Sequence, residues 1–194
     1  MIYKCENYMI ENSIAASKKK SLIKQLKEDL IANEYSGKIK SWFALFMCPA
    51  FLAIFLYRLS HYSRLKWGKL GKLISLILWR LNILMTGCHI SPLATIGYGL
   101  KLPHPIGIVI GEGVKIGNYV TIYQSVTLGR ADTRYSDYPI ICDYAMLSSG
   151  SVIVGKILVG ENALIGANSF VNKNIPEHSV AVGSPAKIIQ SEKK

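Results

Sequence analysis

The 194-residue sequence holds only four histidines and four cysteines, and neither set is grouped. Cys5, Cys48, Cys88 and Cys142 form no CxxC pair, which excludes a zinc ribbon or a disulfide framework and leaves ordinary reduced thiols. Met1 to Lys20 is polar, with no apolar core ahead of a cleavage site, so no secretory signal is expected. No apolar run reaches the roughly 20 residues a membrane span needs. The run from Trp42 to Tyr57 carries Pro49, and that from Leu73 to Met85 is broken by Arg80 and Asn82. Acids are scarce too: 12 Asp and Glu against 23 Lys and Arg, a net charge of +11. Residues 1–89 hold 14 of the bases and 5 of the acids; residues 90–194 hold 9 and 7. Such a basic half suits anionic lipid, an acidic polymer or nucleic acid, with plain solubility as the bland reading. No nucleic-acid-binding motif accompanies the charge, so no nucleic-acid partner is expected.

What is present is a period. An aliphatic residue recurs every six positions in three blocks: Ile90, Ile96, Leu102; then Ile110, Ile116, Ile122, Leu128; then Ile141, Leu147, Ile153, Val159, Ile165, Val171. Four positions after many of these comes a small or apolar residue, such as Val114, Val120, Ala145, Ser151 or Ala163. Six fits neither an α-helix nor an ordinary sheet. It fits a triangular coil with one hexad per side, the aliphatic residue inward and the residue four later turning the corner. Each coil buries its apolar face only against its neighbours, so several must stack. The sequence therefore predicts a mainly β chain, a left-handed parallel β-helix that departs from the right-handed crossover rule. A β-sandwich would instead show period two.

Upstream, Ser21 precedes Leu22, Ile23, Leu26, Leu30 and Ile31, which is helical spacing behind a capping serine, with Gly37 as the stop. The two apolar runs read as further helices packed on each other and on a partner chain. The segment Arg58 to Trp67 between them reads as the solvated side of a bundle, or as a face lying on a bilayer. The expected layout is a helical region over 1–88, the β-helix over 89–176 with an extruded loop at 130–139, and a terminal loop and tail over 177–194.

Two breaks in phase mark candidate chemistry. His104 stands in the first, between Leu102 and Ile110, two places after an inward residue and so pointing outward. An imidazole can take a proton near neutral pH. The second break, between Leu128 and Ile141, ejects the polar and aromatic stretch Arg130 to Pro139, a common form of binding loop.

Three stretches, Ile90-Ser91-Pro92 through Ile110-Gly111-Glu112, Gln124 through Gly129 and Val182 through Ile189, resemble the serine acetyltransferase branch of the hexapeptide-repeat acyltransferases. The similarity extends weakly to Tyr57 through His61. The resemblance implies acetyl transfer from acetyl-CoA to a hydroxyl in a site shared between subunits of a homotrimer, itself able to pair into a dimer of trimers. It implies His104 as general base and backbone N–H groups at Gly129 and Arg130 for the oxyanion. Ser149 and Ala167 would line the pantetheine groove, with Asn172, Lys173 and Lys187 near the nucleotide phosphates. No metal is required by this chemistry. A three-histidine zinc hydrase on the same scaffold would need more than His104, His178 and His89, and a non-catalytic spacer would not need His104 at all.

The departures bear on the acceptor. Pro103 stands where the family has an aspartate, His89 where it has the aspartate partnering the histidine, and Asp137-Tyr138-Pro139 where it has Arg-His-Pro. Asp137 puts an anion where a carboxylate substrate needs a cation, although Arg130 or Arg134 could compensate. Tyr123, Tyr135 and Tyr138 could stack on sugar faces. The tail, Ser191 to Lys194, lacks the family's terminal isoleucine. These features make the leading expectation an O-acetyltransferase of a sugar in a bacterial surface polysaccharide, similar to the colanic acid acetyltransferases. Serine O-acetylation in cysteine synthesis is the alternative. The acceptor residues expected are His89, Tyr123, Arg134, Asp137 and Tyr138, with His89, Glu112, Asp132 or Asp143 orienting His104. The expected location is cytoplasmic, with contact at the inner membrane face as an additional reading.

Overall fold

The computed structural model describes residues 21–33, 48–132 and 134–191. The readings placed on Met1 to Lys20, Gly37, residues 42–47 of the first apolar run and the last three residues lie outside these.

Three helices precede the strands. α1 spans Leu22–Ala32, and Ser21 caps it in extended backbone, its Oγ accepting from Lys24 N at 3.4 Å. α2 spans Pro49–Lys66 and α3 spans Gly68–Thr86, where Gly87 ends the helix in the left-handed conformation at φ 67°. Within the described part of the first apolar run, Pro49 stands at the start of α2. It is the first helical residue, where its missing N–H would have had no partner anyway. Arg58 to Lys66, read as the solvated side of a bundle, is the second half of α2; Leu65 and Lys66 are exposed as that reading expects, but Arg58 is 2% exposed. No described helix is long and apolar enough to cross a membrane.

From His89 onward the chain turns through three parallel sheets in strict rotation. On the first face Ile90 lies opposite Ile110, then Leu128, Ile153 and Val171. On the second, Ile96 lies opposite Ile116, Ile141 and Val159. On the third, Ile122 lies opposite Leu147, Ile165 and Ala181, and Lys101 bridges to Thr121 above them. This is a parallel β-helix of triangular section, as the period of six predicts. All thirteen phased aliphatic residues are at most 4% exposed. The chain ends in an antiparallel hairpin of Ser179–Gly183 with Ala186–Ser191.

The corners differ from expectation in one respect. The residue four after the inward aliphatic does not turn the chain; Val114, Val120, Val126, Ala145, Ser151 and Ala163 are buried and fill the prism alongside it. The turn is made one residue earlier, where Tyr119, Ser125, Tyr144, Asn162, Asn168 and His178 take φ between 52° and 60°. Left-handed backbone costs a non-glycine residue about 1 kcal/mol, least for Asn. Part of that cost is offset between the second and third faces, where Tyr119 stacks on Tyr144 with centroids 5.4 Å apart.

The helices are fastened to the top of the prism by a buried ion pair. Arg58 Nε donates to Asp29 Oδ2 at 2.9 Å; the two residues are 2% and 1% exposed. Arg58 also donates to the Ile96 and Gly97 carbonyls, and Asp29 Oδ1 accepts from Leu100 N at 2.9 Å. Burial works against the Arg58 charge, but Asp29 outweighs it and holds the guanidinium pKa above its ordinary value. The α1 cap residue Asn33 adds two bonds to the same coil, donating to Leu100 O at 2.8 Å and accepting from Leu102 N at 3.2 Å.

Burial at this junction also fixes an alkaline limit. Cys88 lies wholly inside, and burial pushes its thiol from 9.0 up to about 12; Tyr57, buried beside it in the same core, is shifted upward as well. Each group stays protonated in the fold at pH values where the unfolded chain has lost the proton. The stability they contribute is intact below about pH 9 and declines as pH rises towards 12. Thermal melts should show that decline, and Cys88→Val should flatten part of it. An unchanged pH profile in that variant would remove Cys88 from the account.

Candidate active site

The first break in phase has a simple structural origin. At the corner between the third and first faces the left-handed residue is Ser125 in one coil, Gly150 in the next and Asn168 in the third. In the uppermost coil it is Gly107 rather than residue 105, because two extra residues lie in that corner. The longer corner protrudes: His104 and Ile106 are exposed, while Leu102 and Ile108 on either side are fully buried. The turn is tied back by Gly107 N to Gly87 O at 3.0 Å, and His89 N donates to Ile108 O at 2.8 Å.

Below His104 on this edge come Gln124, Ser149 and Ala167, each two residues past an inward residue of the third face. Backbone bonds join their coils: Ser125 N to Ile106 O, Gly150 N to Gln124 O and Asn168 N to Ser149 O, at 2.9 to 3.0 Å. Three coil steps of about 4.8 Å put Ala167 about 14 Å from His104. Gly183 N bonds Ser169 Oγ at 3.1 Å, and the hairpin pairs Lys187 with Val182, so Lys187 closes the lower end of this edge. The result is a track with an imidazole at one end and an ammonium at the other. Gln124, named in the sequence only as part of a resembling stretch and given no role there, belongs to it, and its Oε1 is buried with no partner among the described residues. The register between coils locates it; its own hexad looks like any other.

The remaining candidates sit one face away. Gly129 ends a strand of the first face and Arg130 follows it; Lys173 occupies the place matching Arg130 two coils further on. The loop leaves from this second edge. Six residues separate the two corners within a coil, Gln124 to Arg130, so at most about 20 Å of chain lies between them. Lys173 is on this second edge, one face round the prism from the edge that Lys187 closes. Tyr123 is half-buried on the third face, next to Gln124.

The loop is self-contained. Tyr138 lies flat over Gly111 and Gly113; a Cβ on Gly113 would come within 2.1 Å of its ring. Its hydroxyl bonds Glu112 Oε1 at 3.2 Å and Arg130 stacks on its ring at 5.5 Å. Burial and the Glu112 carboxylate both push the phenol upward, keeping it neutral. Arg134 is engaged with Asp132, Nε to Oδ2 at 2.9 Å, which holds that carboxyl below its usual range. Glu112, Asp137, Tyr138, Lys115 and Lys156 border an open groove of about 480 Å³ beneath the loop.

Of the four groups suggested as partners of His104, three are occupied elsewhere. Asp143 is at the opposite corner, accepting from Asn118 N at 2.8 Å; Asp132 holds Arg134; Glu112 holds Tyr138. His89 alone lies by the protruding corner, edge-on to Trp79 at 5.0 Å, with Nδ1 buried and unbonded among the described residues. No cluster of metal-binding side chains occurs among the described residues.

No family model matches the chain. Individual proteins do. It is 38% identical over 197 residues to a serine acetyltransferase of Buchnera aphidicola subsp. Schizaphis graminum, covering all of this chain and 74% of that one. It is 36% identical to the Helicobacter pylori serine acetyltransferase, covering 89% of this chain and 96% of the other. A solved serine acetyltransferase in complex with cysteine superposes with a TM-score of 0.78 at 33% identity, over 93% of this chain and 74% of that structure. One in complex with CoA gives 0.75 at 34%, over 92% and 73%. Other relatives are longer, and the chain spans 65% of the Bacillus pumilus sequence and 57% of that from Buchnera aphidicola subsp. Acyrthosiphon pisum.

The relatives and the fold shared with them make this an acyltransferase, not a passive spacer. More narrowly, the chain belongs to the serine acetyltransferase family.

That corrects the leading expectation of a surface-polysaccharide sugar acceptor. Relatives that are 36 to 40% identical over most of the chain are serine acetyltransferases. The physical grounds weaken as well. Tyr138, the central aromatic of the supposed sugar platform, is packing for its own loop against Gly111 and Gly113.

Proposed function

We propose that the chain transfers the acetyl group of acetyl-CoA to the hydroxyl of L-serine, with His104 as general base. The observation carrying this reading is the protruding imidazole at the head of a straight edge that ends at Lys187, in a chain of this family. His104 takes the hydroxyl proton as the serine oxygen attacks the thioester carbonyl. The C–S bond then breaks, and the imidazolium returns the proton to the departing CoA sulfur, leaving O-acetylserine and CoA. N–H groups at Gly129 and Arg130 receive the charge on the carbonyl oxygen. Ser149 and Ala167 border the pantetheine arm, and Lys187, with Asn172 and Lys173, meets the phosphates. Arg130 takes the serine carboxylate and Asp137 its ammonium. His89 supports the ring of His104.

The two edges stand a face apart, so the site closes only when a second prism presents its loop edge to the His104 edge. A left-handed prism in a three-fold ring supplies that arrangement three times. A rise in thiol-reagent signal with L-serine, compared with sugar acceptors, tests the acceptor directly. Co-expression tests the sharing. Chains carrying His104→Ala, and chains with residues 131–137 excised, should each be inactive alone. Mixed in equal amounts they should recover activity at about a quarter of the sites. No recovery in mixed trimers would mean the site lies within one chain.

A further inference from the structure

The outer helix of the amino-terminal part is inside out. The side of α3 that meets α2 is small and polar: Gly71, Ser75, Asn82 and Thr86 are buried there. Asn82 Nδ2 donates to Ala53 O at 3.0 Å, and Ser60 Oγ bonds Ser75 O at 2.9 Å. The opposite side is aliphatic and bare. Leu70, Leu73, Ile77 and Leu84 are 64%, 56%, 53% and 81% exposed, with Leu76 and Leu81 between them. A helix of a water-soluble protein turns its apolar stripe towards the core. This one turns it outward, which calls for an apolar cover.

The charge pattern says what covers it. Residues 35–111 contain nine Lys and Arg and not one Asp or Glu. Arg58 is neutralised by Asp29. Lys66, Lys69, Lys72 and Arg80 remain exposed along the stripe, and Trp67, 49% exposed, stands at the turn between α2 and α3. A second copy docked through the same face would set these cations against their equivalents, with no carboxylate on either hairpin to pair them. A surface offering hydrocarbon beneath a layer of anionic groups satisfies stripe and charges together. The 19-residue helix cannot cross a bilayer, so it would lie in the headgroup plane.

We propose that the outward face of α3 docks the protein on an anionic lipid bilayer, through the Leu70–Leu84 stripe and its flanking lysines. The proposal does not depend on the acceptor. It has a spatial corollary, because Gly87 at the end of α3 is bonded to the corner that carries His104, where Ile106 is 69% exposed. The docked face would run up to the mouth of the active site.

Co-sedimentation of the full-length protein with vesicles tests this. Phosphatidylcholine vesicles containing a third phosphatidylglycerol should bind it at least about tenfold better than phosphatidylcholine alone, and 1 M salt should release it. Trp67 emission should shift to the blue on binding. Lys69→Gln/Lys72→Gln, at exposed positions that leave the fold intact, should weaken binding about tenfold or more. Leu73→Glu/Ile77→Glu should abolish it without changing the elution volume on size exclusion or acetyl transfer in solution. Equal partitioning into both vesicle types would overturn the proposal. So would a change of oligomeric state in Leu73→Glu/Ile77→Glu, which would make the face a contact between copies.

Discussion

His104→Ala should lower turnover with L-serine by at least about 100-fold while leaving CoA affinity within a few-fold of the parent. The ring is exposed on a corner lengthened by two residues, so removing it empties no core space and breaks no bond that holds the coil. Of the groups assigned to CoA, Ser149, Ala167 and Lys187 lie on other coils of the edge and Asn172 and Lys173 a face away, so all are untouched. The loss should therefore fall on kcat, measured as CoA thiol released, with the melting temperature unchanged. His104→Asn should fail as fully as alanine, because an amide cannot carry a proton at neutral pH. Retained turnover in either variant would place the base elsewhere, and His89 would be the next residue to test.

Arg58→Met should be the most damaging single change to the fold. It strands the Asp29 carboxylate, 1% exposed, with Leu100 N as its remaining partner, and leaves the Ile96 and Gly97 carbonyls without their donor. Breaking one side of a buried pair costs about 3–5 kcal/mol. For a chain of this length that lowers the melting temperature by about 6–20 °C. Asp29→Leu combined with Arg58→Met should recover much of the loss, because it removes the stranded charge with its partner. Activity should decline in the single variant before unfolding sets in. Asp29 and Asn33 hold Leu100 and Leu102, and the latter is two residues from His104. A melting point unchanged in Arg58→Met would mean the pair is not the fastening it looks to be.

The period of six carried the fold because each coil repeats one constraint: an aliphatic side chain that must point inward. Insertions show as breaks in that rhythm, so both lengthened corners were visible as irregularities before any coordinates. The position of the turn within the hexad was not visible. Tyr119, Ser125 and Tyr144 are poor candidates for left-handed backbone on their own, and only the ladder of coils imposes it. Contacts across long separations were equally hidden. Arg58 read as a surface base because its partner lies 29 residues earlier and its carbonyl acceptors 38 and 39 residues later. The acceptor was misjudged for a related reason. Aromatic residues on an ejected loop suggested a platform for ligands, while the two glycines that seat Tyr138 belong to the coil above.

The corners of the prism tolerate added chain at almost no structural expense. Two residues at one corner and seven at another leave Ile110 still facing Leu128, and Leu128 still facing Ile153. The walls keep time while the vertices vary. An enzyme built this way can acquire or trade recognition elements without renegotiating its interior.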